Sequence, residues 1–191
     1  YLKGLREFCN KHNLLLIFDE VQAGMGRTGK FFAHQWEEIK PDIITLAKGI
    51  ANGIPLGAAI CTKEVGSVMT PGSHGSTFGG NPLAVAAANA VCDLLDDEML
   101  SRINTYGNLL QNAIASLNLK EIKEIRGKGL LIGVELDEGV SAKKAAQKML
   151  EHNVVVGTSG ESVLRILPPF IITEKEILNF VLTLEKVLTS F

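Results

Sequence analysis

Two charged residues stand at the ends of apolar runs, and together they suggest one kind of chemistry. Asp19 ends the run Leu14-Leu15-Leu16-Ile17-Phe18, and Lys48 ends Ile43-Ile44-Thr45-Leu46-Ala47. A lysine amine desolvated at the end of a buried strand is a usable nucleophile toward a carbonyl compound. An aspartate near it can hold a protonated ring nitrogen, which lets such a compound draw electrons from a substrate. From spacing alone, a helix-capping aspartate and a lysine that stretches its head into water fit the same positions. Arg165, a guanidinium within the apolar segment Val163 to Leu167, must find an anion, such as a structural salt bridge, or stay at an edge. Ser76 and Thr77 lie in a glycine-rich stretch from Pro71 to Gly80. Its backbone N–H groups and hydroxyls suit a phosphate, and a flexible turn accounts for it equally well.

Other constellations fail on spacing. The four histidines and three cysteines show no metal-ligand spacing, so no metal site is expected. Gly24-x-Gly26-x-x-Gly29 after an apolar strand has the form of a dinucleotide fingerprint. That reading needs an acidic residue at the end of the second strand, where Lys48 stands instead.

The elements that must position these residues follow from periodicity. The two continuous apolar runs suit parallel strands buried on both faces, joined by a crossover with a short helix around Phe31 to Glu38. In an open parallel sheet ligands sit beyond the carboxyl ends of the strands, where Asp19 and Lys48 both fall. Leu56 to Cys61 reads as a third strand. Asn81-Pro82 marks a helix start, followed by apolar residues at helical spacing. Beyond Asp96-Asp97 the pattern changes to a helix through Leu117, strands near Lys120 to Arg126 and Leu130 to Leu136, and a helix from Ser141 to His152. Strands at Val154 to Val156 and Val163 to Leu167 follow, with a closing helix that begins at the capping-box sequence Thr173-Glu174-Lys175-Glu176. The expected class is α/β: residues 1–96 end a large, mostly parallel domain, and residues 97–191 form a small α+β domain.

Composition limits the partners. With 19 basic and 21 acidic residues the chain has no electrostatic footprint for nucleic acid or a membrane surface, and no apolar run is long enough to span a bilayer. Three widely spaced cysteines suit a reducing compartment, so the cytoplasm is expected. The first residues resemble the middle of an amphipathic helix, which suggests a truncated chain.

Four segments, taken in order, resemble a known family. They are Phe18-Asp19-Glu20-Val21-Gln22-Ala23-Gly24-Met25-Gly26-Arg27-Thr28-Gly29, then Ala47-Lys48-Gly49, then His74-Gly75-Ser76-Thr77-Phe78-Gly79-Gly80-Asn81-Pro82-Leu83-Ala84, then Leu164-Arg165-Ile166-Leu167-Pro168-Pro169. They resemble the class III aminotransferases of fold type I, and most of all the acetylornithine branch, over its carboxyl-terminal half. The resemblance implies pyridoxal 5'-phosphate as cofactor, held as a Schiff base by Lys48, which also shuttles the proton. It implies that Asp19 pairs with the pyridine nitrogen, Val21 packs on the ring and Gln22 bonds the phenolic oxygen. Ser76 and Thr77 would serve the phosphate, the threonine that of the neighbouring subunit in a homodimer with shared active sites, and Arg165 would bind the substrate carboxylate.

The implied reaction moves an amino group from N-acetylornithine to 2-oxoglutarate, in arginine biosynthesis. Ornithine or succinyl-diaminopimelate as donor, or an aminomutase, are alternatives. Ala23 departs from the threonine usual in the family, beside the cofactor site. The family's other half supplies the main phosphate cup, the ring-stacking aromatic and a second substrate arginine, so this chain alone is expected to be an incomplete, inactive site.

Overall fold

Why the ends of the first two strands coincide is visible one residue before they begin. The computed structural model, which describes residues 1–191, divides by internal contacts into two units: Tyr1–Gly26 with Lys30–Leu100, and Arg27–Gly29 with Ser101–Phe191. In the first unit, Asp42 Oδ2 accepts from the Leu16 amide at 2.7 Å and from Arg6 Nη1 at 2.7 Å. These two donors, the backbone amide first, hold the Asp42 carboxyl below its usual pKa. The clasp sets the register of β1 (Ile17–Asp19) on β2 (Ile43–Leu46), which are parallel with Asp19 opposite Thr45.

The sheet order is β1-β2-β3, with β3 (Ala58–Cys61) antiparallel to β2. The parallel pair is the one the apolar runs predict, and the antiparallel direction of β3 has a geometric cause. Only eleven residues separate Leu46 from Ala58, and a parallel return needs a crossover of a dozen or more. The helix expected around Phe31 to Glu38 is a 3₁₀ turn, Ala33–Glu37.

With only two or three strands for this layer, a bare edge and an exposed apolar face are expected here, and both are found. Leu16, Ile44 and Leu46 are buried, but Leu14 and Leu15 are exposed and Ile17 is 56% exposed. Strand β1 has β2 as its one neighbour, so its other edge is bare. Strands this apolar require cover on both faces, and these residues do not provide it. β1 is also shorter than the apolar run. Helix α1 (Leu2–Lys11) ends through Asn13 in the left-handed region (φ 51), and the Leu14 amide donates to the Cys9 carbonyl at 2.9 Å, which commits it to the helix end.

A short helix α2 (Lys63–Gly66) follows β3, and the expected helix at Asn81 is α3 (Pro82–Leu94). Asn81 Oδ1 accepts from the Ala84 amide at 2.9 Å and proline takes the first turn, where no N–H is needed. Helix α3 packs against the 3₁₀ turn Lys48–Ala51.

Helix α4 (Asp97–Ala115) leads into the second unit, an antiparallel sheet in the order β4-β5-β7-β6. Its strands are β4 (Ile122–Lys128), β5 (Leu131–Leu136), β6 (Gly157–Ser159) and β7 (Val163–Ile166). Ile132, Val134 and Leu136 of β5 and Leu164 and Ile166 of β7 form one buried face. The core is completed by Ile103, Leu110 and Ile114 of α4, by Ala145 and Met149 of α5 (Ala142–Glu151), and by Ile177, Val181, Leu184 and Leu188 of α6 (Glu174–Leu188). Helix α6 begins with the expected capping box: Thr173 Oγ1 accepts from the Glu176 amide and the Glu176 carboxylate accepts from the Thr173 amide at 2.8 Å.

The strand expected at Val154 to Val156 forms three residues later, as β6. The Val154 amide donates to the Met149 carbonyl at 3.0 Å behind Asn153 in the left-handed region (φ 61), so α5 ends by the same device as α1.

Candidate active site

Asp19 and Lys48 stand at the same end of the parallel pair. Lys48 follows β2 by two residues and opens the 3₁₀ turn Lys48–Ala51, with its backbone in the left-handed region (φ 50). A non-glycine residue there costs on the order of 1 kcal/mol, a strain that occurs most often at functional positions. The Asp19 carboxylate is aimed by its own chain, since Oδ1 accepts from the Val21 amide at 2.9 Å. Val21 is half-buried and Gln22 exposed. Both Asp19 and Lys48 are exposed, so the desolvation expected at a buried strand end is not supplied by these residues.

Directly after Asp19 lies a residue whose role sequence reasoning missed. Glu20 is 3% exposed, and its two carboxylate oxygens accept from the Ala33 amide at 2.7 Å, the His34 amide at 2.9 Å and His34 Nδ1 at 2.6 Å. Because successive strand residues face opposite ways, Glu20 points inward where Asp19 points out. It closes the loop between Glu20 and the 3₁₀ turn at Ala33, and the spacing of two residues fourteen apart carries no signal for it. His34, which lacks a partner at metal spacing, has this carboxylate instead. The glycines from Gly24 to Gly29 are followed by turns rather than by the helix a dinucleotide fingerprint requires.

Ser76 and Thr77 lie in an exposed loop that spans residues 71–80. That loop is anchored at its end, where Asn81 Nδ2 donates to the Phe78 carbonyl at 3.0 Å and Asn81 caps α3.

Arg165 belongs to the second unit. It lies on the face of β7 away from the core, opposite Gly133 of β5 on one side and Gly157 of β6 on the other. A Cβ at position 157 would lie 3.3 Å from both Nε and Nη2, so the glycine makes room for the guanidinium. The salt bridges of this sheet join Lys123 and Arg126 to Glu135, and Arg126 to Glu124. None includes Arg165, and its Nε is buried without a hydrogen-bond partner. A guanidinium without a carboxylate partner in its own sheet is the feature an external carboxylate would satisfy.

The fold is that of the type I class of pyridoxal-phosphate enzymes. Comparison with known proteins places it more closely. The sequence model of the family described as aminotransferase class-III matches residues 1–188, and the chain belongs to that family. It is 43% identical over 190 residues to the acetylornithine aminotransferase of Corynebacterium efficiens, covering 100% of this chain and 46% of that protein. It is 45% identical over 196 residues to the acetylornithine/succinyldiaminopimelate aminotransferase of Photorhabdus laumondii, covering 100% and 48%. A crystal structure of the ornithine aminotransferase of Toxoplasma gondii, described with partial occupancy of PLP at its active site, superposes with a TM-score of 0.90 at 36% identity. That match covers 100% of this chain and 46% of the other. The chain therefore spans about half the length of the relatives it matches. Class III aminotransferases depend on pyridoxal phosphate. No helix is long and apolar enough to cross a membrane.

Proposed function

We infer that the protein to which this chain belongs is a pyridoxal-phosphate aminotransferase. It moves an amino group from N-acetylornithine, or a related ω-amino donor, to 2-oxoglutarate in arginine biosynthesis, as a cytoplasmic homodimer. The observation that carries this reading is the pair Asp19 and Lys48 at one end of two adjacent parallel strands, in a chain of this family. An aimed carboxylate and an amine, both open to solvent, are the donor set that a ring nitrogen and an aldehyde require.

When bound, pyridoxal phosphate supplies an electron sink for charge that develops on the amino-bearing carbon of the substrate. Asp19, held by the Val21 amide, would accept from a pyridinium N–H and so favour its protonated form. Lys48 Nζ would hold the cofactor covalently, and the same amine would carry the proton at the amino-bearing carbon of the substrate. Gln22 donates to the phenolic oxygen and the Val21 side chain packs on the ring. Ser76 and Thr77 offer hydroxyls and amides to a phosphate, the threonine to that of the partner copy. Arg165, which no salt bridge of its sheet occupies, would receive the substrate carboxylate. The remainder of the site comes from the rest of the protein, so the isolated chain is inactive.

Support for the donor comes from the names of the relatives, which cover acetylornithine, succinyldiaminopimelate and ornithine. The test supplies each of these donors with 2-oxoglutarate to the whole protein and measures glutamate. We expect glutamate from all that fit, with kcat/KM highest for N-acetylornithine. An amino shift within one molecule and no glutamate identifies an aminomutase, and no reaction with any donor overturns the reading.

A further inference from the structure

The antiparallel ladder between β5 and β7 ends where Ile132 pairs with Ile166, and two positions beyond it lie Leu130, in the turn before β5, and Pro168. Pro168 has no N–H, so the ladder cannot continue there by ordinary pairing. Arg27 fills the gap. Its carbonyl accepts from the Leu130 amide at 3.1 Å, and its Nη1 donates to the Pro168 carbonyl at 2.6 Å and to the Leu130 carbonyl at 3.2 Å. The same guanidinium lies 4.4 Å from the centre of the Phe170 ring. One side chain thus ties the residue before β5 to the segment after β7, the strand that carries Arg165 three residues before Pro168.

The seat is built for this contact. Gly129, before Leu130, has φ 52, and a Cβ on it would fall 2.5 Å from the Thr28 carbonyl carbon, so the Arg27–Gly29 segment can approach there against glycine alone. Beyond Pro168, Arg102 continues the restraint: Nη2 donates to the Ile172 carbonyl at 2.6 Å and Nε to the Phe170 carbonyl at 3.3 Å. Burial lowers the pKa of Arg27 from the ordinary arginine value, as expected for a guanidinium whose partners are carbonyls and a ring rather than carboxylates.

We propose that Arg27 is a positioning residue for Arg165: it bridges the turn before β5 to the segment after β7, beyond the last pair of their ladder, and so holds the Arg165 guanidinium in the place that receives a substrate carboxylate. This rests on the carboxylate reading of Arg165. Removal of Arg27 frees the Pro168 end of β7, and a displacement of about 1 Å at a carboxylate-binding fork costs on the order of tenfold to a hundredfold.

The experiment compares the whole protein with Arg27→Met, Arg27→Lys and Arg165→Met. It measures binding of pentanoate, which cannot transaminate, against pentanamide, together with KM and kcat for a carboxylate donor and for a carboxylate-free amine. Arg27→Met is expected to weaken pentanoate by about tenfold or more and to raise KM for the carboxylate donor in step. Pentanamide binding and turnover of the carboxylate-free amine should be unchanged. Arg27→Lys, which keeps a charge and a donor but not the planar bridge, is expected to fall between. Equal losses for carboxylate and carboxylate-free ligands would overturn the proposal, because they mark a general loss of structure. If Arg165→Met abolishes pentanoate binding while folded Arg27→Met retains it, the proposal is overturned and the carboxylate reading stands. Pentanoate binding unchanged in Arg165→Met overturns both. Should Arg27→Met fail to fold, wild-type pentanoate affinity in Arg27→Lys overturns the proposal.

Discussion

Replacing Lys48 by alanine in the whole protein is expected to reduce turnover by at least about four orders of magnitude, because one substitution removes both the covalent anchor and the proton carrier. The fold should survive it. Lys48 is exposed, its backbone opens the turn Lys48–Ala51, and Ile50 and Ala51 of that turn supply the buried contacts. The left-handed backbone at Lys48 (φ 50) is as unfavourable for alanine as for lysine, so no relaxation of strain offsets the loss. Cofactor retained by this variant should be non-covalent, held through Asp19 and the phosphate contacts. A variant that still forms a borohydride-reducible bond to the cofactor would move the assignment to another lysine.

Arg165→Lys is expected to cost roughly 2 kcal/mol or more in transition-state stabilisation for carboxylate substrates, a fall of about thirtyfold in kcat/KM. Lysine keeps the charge but is a point donor without the planar fork. The guanidinium seated over Gly157 presents a buried Nε that nothing in the chain satisfies, and an ammonium has no donor at that position. Cofactor absorbance should be unaltered. Steady-state constants equal to those of the unsubstituted protein would show that Arg165 has a structural task instead.

Sequence reasoning reached those features that are local. The Asn81 cap, the capping box at Thr173 and the apolar stripe of α6 are set by residues a few positions apart, and each forms as the spacing predicts. The candidate residues were legible because short segments carry them: Asp19 and Lys48 close apolar runs, and Arg165 interrupts one. What was not legible depends on distant partners. The carboxylate of Glu20 meets His34 fourteen residues on, and the guanidinium of Arg27 meets Pro168 across 141 positions. The direction of β3 turned on the length of its connection, which the apolar pattern of Leu56 to Cys61 does not encode. Val154 to Val156 has strand composition, yet its first amide is committed to the end of α5. The exposure of Leu14, Leu15 and Ile17 was legible as well, because strands this apolar need cover on both faces and these 191 residues supply only three strands for that layer.

The central claim is that Lys48 holds pyridoxal phosphate, and one measurement addresses it most directly. The whole protein is incubated with the cofactor, reduced with borohydride, digested, and its peptides are weighed. The account predicts the mass of a reduced pyridoxyl-phosphate group on the peptide containing Ala47-Lys48-Gly49 and on no other. The same group on a different lysine, or no covalent group after the cofactor's absorbance has been seen to shift on binding, would contradict it.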